Sequence, residues 1–145
     1  MAQMIETKET PQRHGVIFAI WDGCKIQLER RIAPGEFKGF TLIPGGKMEL
    51  KETIEEALTR EILEEYEVQA LEYTKLGFLT NIEQNGILNA RHVYLVTRWK
   101  GKLSNPEGKN EHLEVSLSEA RLLCTHPVSQ QVLDLVEKQL SGQNR

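Results

Sequence analysis

Glu61, Glu64 and Glu65 stand at i, i+3 and i+4 in a stretch that reads as a helix from Thr53 to about Tyr66. At about 100° per residue this spacing puts three carboxylates on one arc. Thr53-Ile54-Glu55-Glu56 has the form of a capping box, Ala57, Leu58, Arg60 and Leu63 are good helix formers, and Ile54, Leu58, Ile62 and Tyr66 make one apolar stripe. The ordinary reading of an acidic helix is a solvated charged face. Two features count against it. Such a face lies opposite the apolar stripe, whereas this arc overlaps the side that carries Ile54 and Ala57. The trio also occupies the last turn, where the macrodipole favours Lys or Arg by roughly 0.3–1 kcal/mol each, and its like charges repel. Divalent cations would neutralise the group, and hard oxygen ligands select Mg²⁺ or Mn²⁺.

Around the trio, Gly46, Glu52, Arg60, Glu61, Ile62, Glu64, Glu65 and Val68 fall on the pattern G-x5-E-x7-R-E-U-x-E-E-x-G-U, in which U is aliphatic. The segment resembles the Nudix box, the signature of metal-dependent hydrolases that cleave a diphosphate linked to a nucleoside. Glu67 departs from it, standing where the family has Gly. The resemblance implies that the carbonyl of Gly45 joins Glu61, Glu64 and Glu65 around the metal, and that Arg60 holds neighbouring carboxylates by charge-assisted hydrogen bonds. Glu52 shares that work or favours the helix N-terminus electrostatically. The glycines of Pro44-Gly45-Gly46-Lys47 would let backbone approach a ligand closely. In the family a carboxylate takes the proton of the attacking water, from the box or from a later loop, and Glu111 and Glu114 are the later candidates. Arg31 resembles a family position that contacts substrate phosphates, and Lys47 stands similarly; for each, a solvent-facing cation is the alternative.

The implied reaction is substitution at phosphorus by water, with metal ions neutralising charge and orienting the partners. Proline, tyrosine and proline-tryptophan markers of other Nudix substrates are missing from Asn81-Ile82-Glu83-Gln84-Asn85-Gly86. By elimination the expected substrate is a nucleoside triphosphate, modified or oxidised forms included, cleaved to monophosphate and pyrophosphate. Asn85, Asn89 and His92 are candidates for a base edge. The alternatives are a hydrolase of a nucleotide sugar or dinucleoside polyphosphate and, from another class, an inactive nucleotide sensor. Degenerate sensors usually lose box glutamates, and all are present here.

Composition fits one compact domain. The chain has 145 residues, 39% of them apolar, with eleven glycines besides. Net charge is −3 with no basic stripe, which argues against duplex nucleic acid or an anionic membrane as partner. The longest apolar run, Val16 to Trp21, is too short to span a bilayer, and Cys24 and Cys124 have no C-x-x-C partner. A cytoplasmic protein is expected, its oligomeric state open, a homodimer included.

Residues 1–13 read as a flexible tail and 14–145 as a single domain. Gly15–Trp21 is β-rich, Asp22-Gly23 marks a turn, and Lys25–Arg31 alternates as a hairpin partner. Phe40–Ile43 reads as a short strand before the Gly45-Gly46 loop. After the helix, Tyr73–Leu79, Ala90–Trp99 and Leu113–Leu117 read as strands, and Pro127 and Gly142 bracket a last helix. These elements imply an α/β fold with a mixed β-sheet between helices, the α/β/α sandwich that the Nudix resemblance also implies.

Overall fold

In the computed structural model, which describes residues 10–83 and 85–143, every residue from Val16 to Ile20 is buried. A strand apolar on consecutive positions must be covered on both faces. The chain order is β1 (Arg13–Ile20), β2 (Ile26–Arg30), β3 (Thr41–Leu42), β4 (Gly45–Lys47), α1 (Ile54–Tyr66), β5 (Gln69–Ile82), β6 (Leu88–Lys100), β7 (Glu111–Val115), α2 (Leu117–Leu123) and α3 (Pro127–Gln143). β1 lies inside a mixed four-stranded sheet of order β4-β1-β6-β5, parallel to β6 and antiparallel to β4. On one face Val16, Phe18 and Ile20 pack with Tyr94 and Val96 against Ala57, Leu58, Ile62 and Tyr66 of α1. On the other, Ile17, Ala19, Val93 and Leu95 pack with Ala120, Val132, Leu133 and Val136 of α2 and α3. The architecture is therefore α/β/α. A second sheet, β3-β2-β7, is antiparallel and adds Ile26, Leu28 and Val115 to that second core.

Several boundaries differ from the sequence reading. The Asp22 turn forms, its carboxylate accepting from the N–H groups of Cys24 and Lys25 at 2.8 and 2.7 Å. The strands it joins are not a hairpin. Both edges of β1 are taken by β4 and β6, so β2 meets it only at the Trp21–Ile26 bridge and joins the second sheet. The Gly45-Gly46-Lys47 loop is itself a short strand. The last strand ends at Val115, not Leu117, because Ser116 caps α2 in a box with Glu119. Gly142 lies inside α3 rather than beyond it. Of the expected tail, residues 1–9 lie outside the described residues, and Arg13 already belongs to β1. Both cysteines are free, and no helix among the described residues is long and apolar enough to cross a membrane.

α1 starts and stops by identifiable contacts. Thr53 Oγ1 accepts from the Glu56 N–H at 3.1 Å while the Glu56 carboxylate accepts from the Thr53 N–H at 2.8 Å. At the other end Glu67 takes φ 62° and ψ 31°, the left-handed turn for which the family pattern has Gly. A residue with a Cβ is disfavoured there by roughly 1–2 kcal/mol. A hydrogen bond from Ser104 Oγ to Glu67 Oε1 at 3.0 Å offsets part of that cost. Glu67→Gly should raise stability by about 0.5–1 kcal/mol in urea unfolding. Glu67→Ala keeps the strain, loses the Ser104 contact and should be less stable than the wild type; a stable Ala variant beside a destabilised Gly variant would contradict this account of the cap.

Candidate active site

Gly46 decides how closely α1 can lie to β4. A Cβ built on it would fall onto the carboxylate of Glu61, so only a bare backbone leaves that side chain its place. Arg60, one residue earlier, fixes the same junction. Its guanidinium donates to the Lys47 carbonyl at 2.9 Å and to both oxygens of Glu52, at 2.6 and 3.0 Å. It also reaches Glu64 Oε1 at 3.2 Å and, more weakly, Glu61 Oε2 at 3.4 Å, with Glu49 at 3.6 Å. A planar five-donor group suits such a task better than a lysine. Of the two roles open for Glu52, the structure shows the Arg60 clamp, completed by an acceptor bond from the Glu49 N–H at 2.8 Å.

The trio divides by environment. Glu64 is half-exposed, whereas only 13% of the Glu61 side chain meets solvent. Burial raises the Glu61 carboxyl to about 7, and Arg60 offsets this only in part. Glu65 is raised to about 9, first by burial and then by the charges of Glu29, Glu61 and Glu107. Its Oε2 is buried and meets no hydrogen-bond partner among the described residues. Glu52 goes the other way: the Arg60 hydrogen bond holds it below the usual carboxylate range. No three acidic, His or Cys side chains are gathered tightly enough to cage an ion among the described residues. In the metal-free chain Arg60 is hydrogen-bonded to both Glu61 and Glu64.

Facing Glu65 are groups that the sequence reading did not single out. Glu29, on β2, is buried and accepts from Asn110 Nδ2 at 3.2 Å, with Arg31 Nε 3.8 Å away. Asn110 also accepts from the Ile32 and Ala33 N–H groups at 3.0 and 3.2 Å, tying the loop after Arg31 to the start of β7. His112 stacks on Tyr66 at 4.3 Å. Glu107, in the loop before β7, acts electrostatically on Glu61, Glu65 and His112. The only sequence signal for Glu29 was its alternation on β2, which gives the face but not the neighbour. Arg31 stands at this side of the site, its Nε buried without a hydrogen-bond partner. Lys47 is exposed on β4. Glu111 pairs with Arg30 at 3.6 Å and Glu114 accepts from Gln27 at 2.8 Å; neither is among the strongest influences on Glu61 or Glu65. Asn89 is buried, and His92 lies between His14 and Lys75 at 3.0 Å from each, away from the trio's partners. Gln84 lies outside the described residues.

Residues 11–136 match the NUDIX domain family. A curated relative, an 8-oxo-dGTP diphosphatase of Proteus vulgaris, is 36% identical over 87 residues, which are 57% of this chain and 73% of that protein. Among solved structures, the MutT NUDIX hydrolase of Burkholderia pseudomallei is 28% identical with a TM-score of 0.76, over 88% of this chain and 99% of that one. The NUDIX domain of Shewanella oneidensis NrtR, solved with ADP ribose, shares the fold at 16% identity and a TM-score of 0.73, over 96% and 97% of the two chains.

Glu61 and Glu65 make the stability of the metal-free chain pH-dependent. Folded, they keep protons that the unfolded chain releases above its ordinary carboxylate range, so their contribution is full below that range and is lost as pH rises through about 7 and then about 9. In EDTA the thermal midpoint should therefore fall from about pH 5.5 to about pH 9. Glu65→Gln should flatten the upper part of that fall, and added Mg²⁺ should raise the midpoint more at the alkaline end. A midpoint in EDTA that rises with pH over this window would reverse the assignment.

Proposed function

The chain belongs to the Nudix hydrolase family, and we propose that it cleaves a nucleoside triphosphate, modified or oxidised bases included, to the monophosphate and pyrophosphate. Hydrolysis of a diphosphate-linked nucleotide follows from the family. The triphosphate is supported by the Proteus vulgaris relative, whose name states that substrate class, and by the likeness to a MutT enzyme. The stretch from Asn81 to Gly86, free of the markers of other substrates, points the same way.

The observation that carries the reaction is the buried, unpartnered oxygen of Glu65 on the same helix as Glu61, whose carboxyl burial pushes up to about 7. A buried carboxylate without a donor is costly unless it is protonated or meets a cation. Glu61, Glu64 and Glu65, with the Gly45 carbonyl, would hold Mg²⁺, Mn²⁺ being able to substitute; all are hard oxygen donors. Such an ion supplies neutralisation of phosphate charge and eases ionisation of the attacking water. The remaining tasks fall to the chain itself. Arg60 and Glu52 keep the helix and β4 in register. Arg31, whose Nε is buried 3.8 Å from Glu29, would offer its terminal guanidinium nitrogens to a phosphate oxygen. As acceptor of the water's proton we propose Glu107, in the loop before β7, because its charge acts on both Glu61 and Glu65; like Glu111 and Glu114 it has a partner of its own, Lys109 at 3.7 Å.

Purified protein, incubated with canonical and oxidised nucleoside triphosphates, ADP-ribose and a dinucleoside polyphosphate, should release pyrophosphate from the triphosphates best. Activity should vanish in EDTA and return with Mg²⁺ or Mn²⁺; hydrolysis that persists after exhaustive chelation would refute the metal assignment. Tight binding of a nucleotide without turnover would make the chain a sensor instead.

Glu64→Gln and Glu65→Gln should each lower kcat by roughly two orders of magnitude or more, and Glu107→Gln by a comparable factor. Glu111→Gln and Glu114→Gln should stay within a few-fold of wild type. Full activity in the Glu107 variant, with a loss in either of the other two, would move the proton acceptor onto β7.

A further inference from the structure

Register places Lys47 of β4, Gly15 of β1, Arg91 of β6 and Leu79 of β5 in one row across the four-stranded sheet. Paired residues in a sheet project to the same side, and this row shares its side with Ile17 and Val93, away from α1. Gly15 has no side chain, and a Cβ there would meet the Gly46 carbonyl oxygen at 2.8 Å, so the row has a bare floor with a cation on each flank. Arg91 is half-buried, yet its guanidinium forms no hydrogen bond and no ion pair with any described residue. The carboxylates whose charge acts on it are Glu83 and Glu36. Glu83 is already engaged by Arg13 at 3.1 Å, and Glu36 stands exposed in the loop after Arg31. The other charge that acts on it is repulsive, that of Arg31.

A partly desolvated guanidinium that feels the repulsion of a second one is unfavourable unless an anion comes near it. The planar fork of arginine fits phosphate oxygens. β4 also connects this row to the acidic site: Gly46 faces Glu61, while its neighbour Lys47 projects to the opposite side. A phosphate chain crossing that narrow strand would have carboxylates and their cation on one side and the Arg91 guanidinium with the Lys47 ammonium on the other.

We propose that Arg91 is a substrate-binding residue which, across the bare backbone of Gly15 from Lys47, donates to a phosphate oxygen of the nucleotide. The assignment rests on the reading of the substrate as a nucleotide. It is tested by calorimetric titration of dGMP and of pyrophosphate, separately and each with Mg²⁺, into wild type, Arg91→Gln and Arg91→Lys, with thermal midpoints recorded in parallel. Arg91→Gln should weaken one of the two compounds about ten-fold or more, leaving the midpoint unchanged or raised because Arg31 loses a like-charged neighbour. Arg91→Lys should fall between. Affinities for both compounds within about two-fold of wild type in either variant overturn the assignment. So does a lower midpoint of Arg91→Gln combined with full affinity in Arg91→Lys, which would make the side chain a packing element. A wild type that binds neither compound overturns it as well. Failure of the wild type to hydrolyse any triphosphate is a separate result, which removes the substrate reading and leaves these titrations to decide Arg91.

Discussion

Arg60 reaches from the middle of α1 to Glu52 and to the Lys47 carbonyl, and the acidic side of the fold depends on those bonds. Glu49, Glu52, Glu61 and Glu64 all come within 4 Å of this one guanidinium. Without it, four carboxylates would crowd the strand and helix they flank. With it, charge is shared across a network in which each bond also fixes a segment of backbone. The carbonyl bond matters most for geometry, because it holds β4 where Gly46 meets Glu61. Arg60 and Gly46 therefore act on the same junction from opposite sides, one by attraction and one by leaving space.

That junction explains why the helix was legible in the sequence and much else was not. The Thr53 box, the apolar stripe and the Gly46-to-Glu65 spacing are all local, and α1 forms where they place it. The left-handed exit at Glu67 was readable only as a question, since a Cβ there is disfavoured and local rules do not say whether the chain tolerates it. Pairing of strands is settled at long range. The Asp22-Gly23 turn carries the same signals whether its strands pair or part, and only the claims of β4 and β6 on β1 separate them. α2 was missed because Ser116-Leu117-Ser118-Glu119 follows directly on an apolar strand, and one short capping box does not outweigh an extended run. Glu29, Glu107 and Asn110 come from outside the box and meet it only through the second sheet.

The second sheet accordingly does more than extend the core. Through Glu29 it sets a buried carboxylate opposite Glu65, and through Asn110 it anchors the loop that carries Arg31 out of β2. Burial dominates at both Glu61 and Glu65: the weak Arg60 bond to Glu61 offsets it only in part, and at Glu65 the charge of Arg31 is the smallest influence. The same burial that makes them reluctant acids makes them strong ligands once ionised, because water competes poorly for them. Under the proposed metal assignment, proton and cation would be alternative occupants of one environment.

β4 is the strip along which these environments meet. It is only three residues long, yet its alternation turns Gly46 towards the acids of α1 and Lys47 towards the row that holds Arg91. Bulky side chains at Gly15 or Gly46 would close one side or the other: a Cβ at the first meets the Gly46 carbonyl, and at the second the Glu61 carboxylate. Lys47 and Arg91 are kept apart from the acids of α1 by a single narrow strand, instead of pairing with them as Arg60 does with Glu52. A polyanion is the kind of ligand such a division suits, since it needs a cation between itself and the carboxylates and donors along its other flank. The separation of charge across β4, more than the acidic helix alone, distinguishes this surface from an ordinary solvated face.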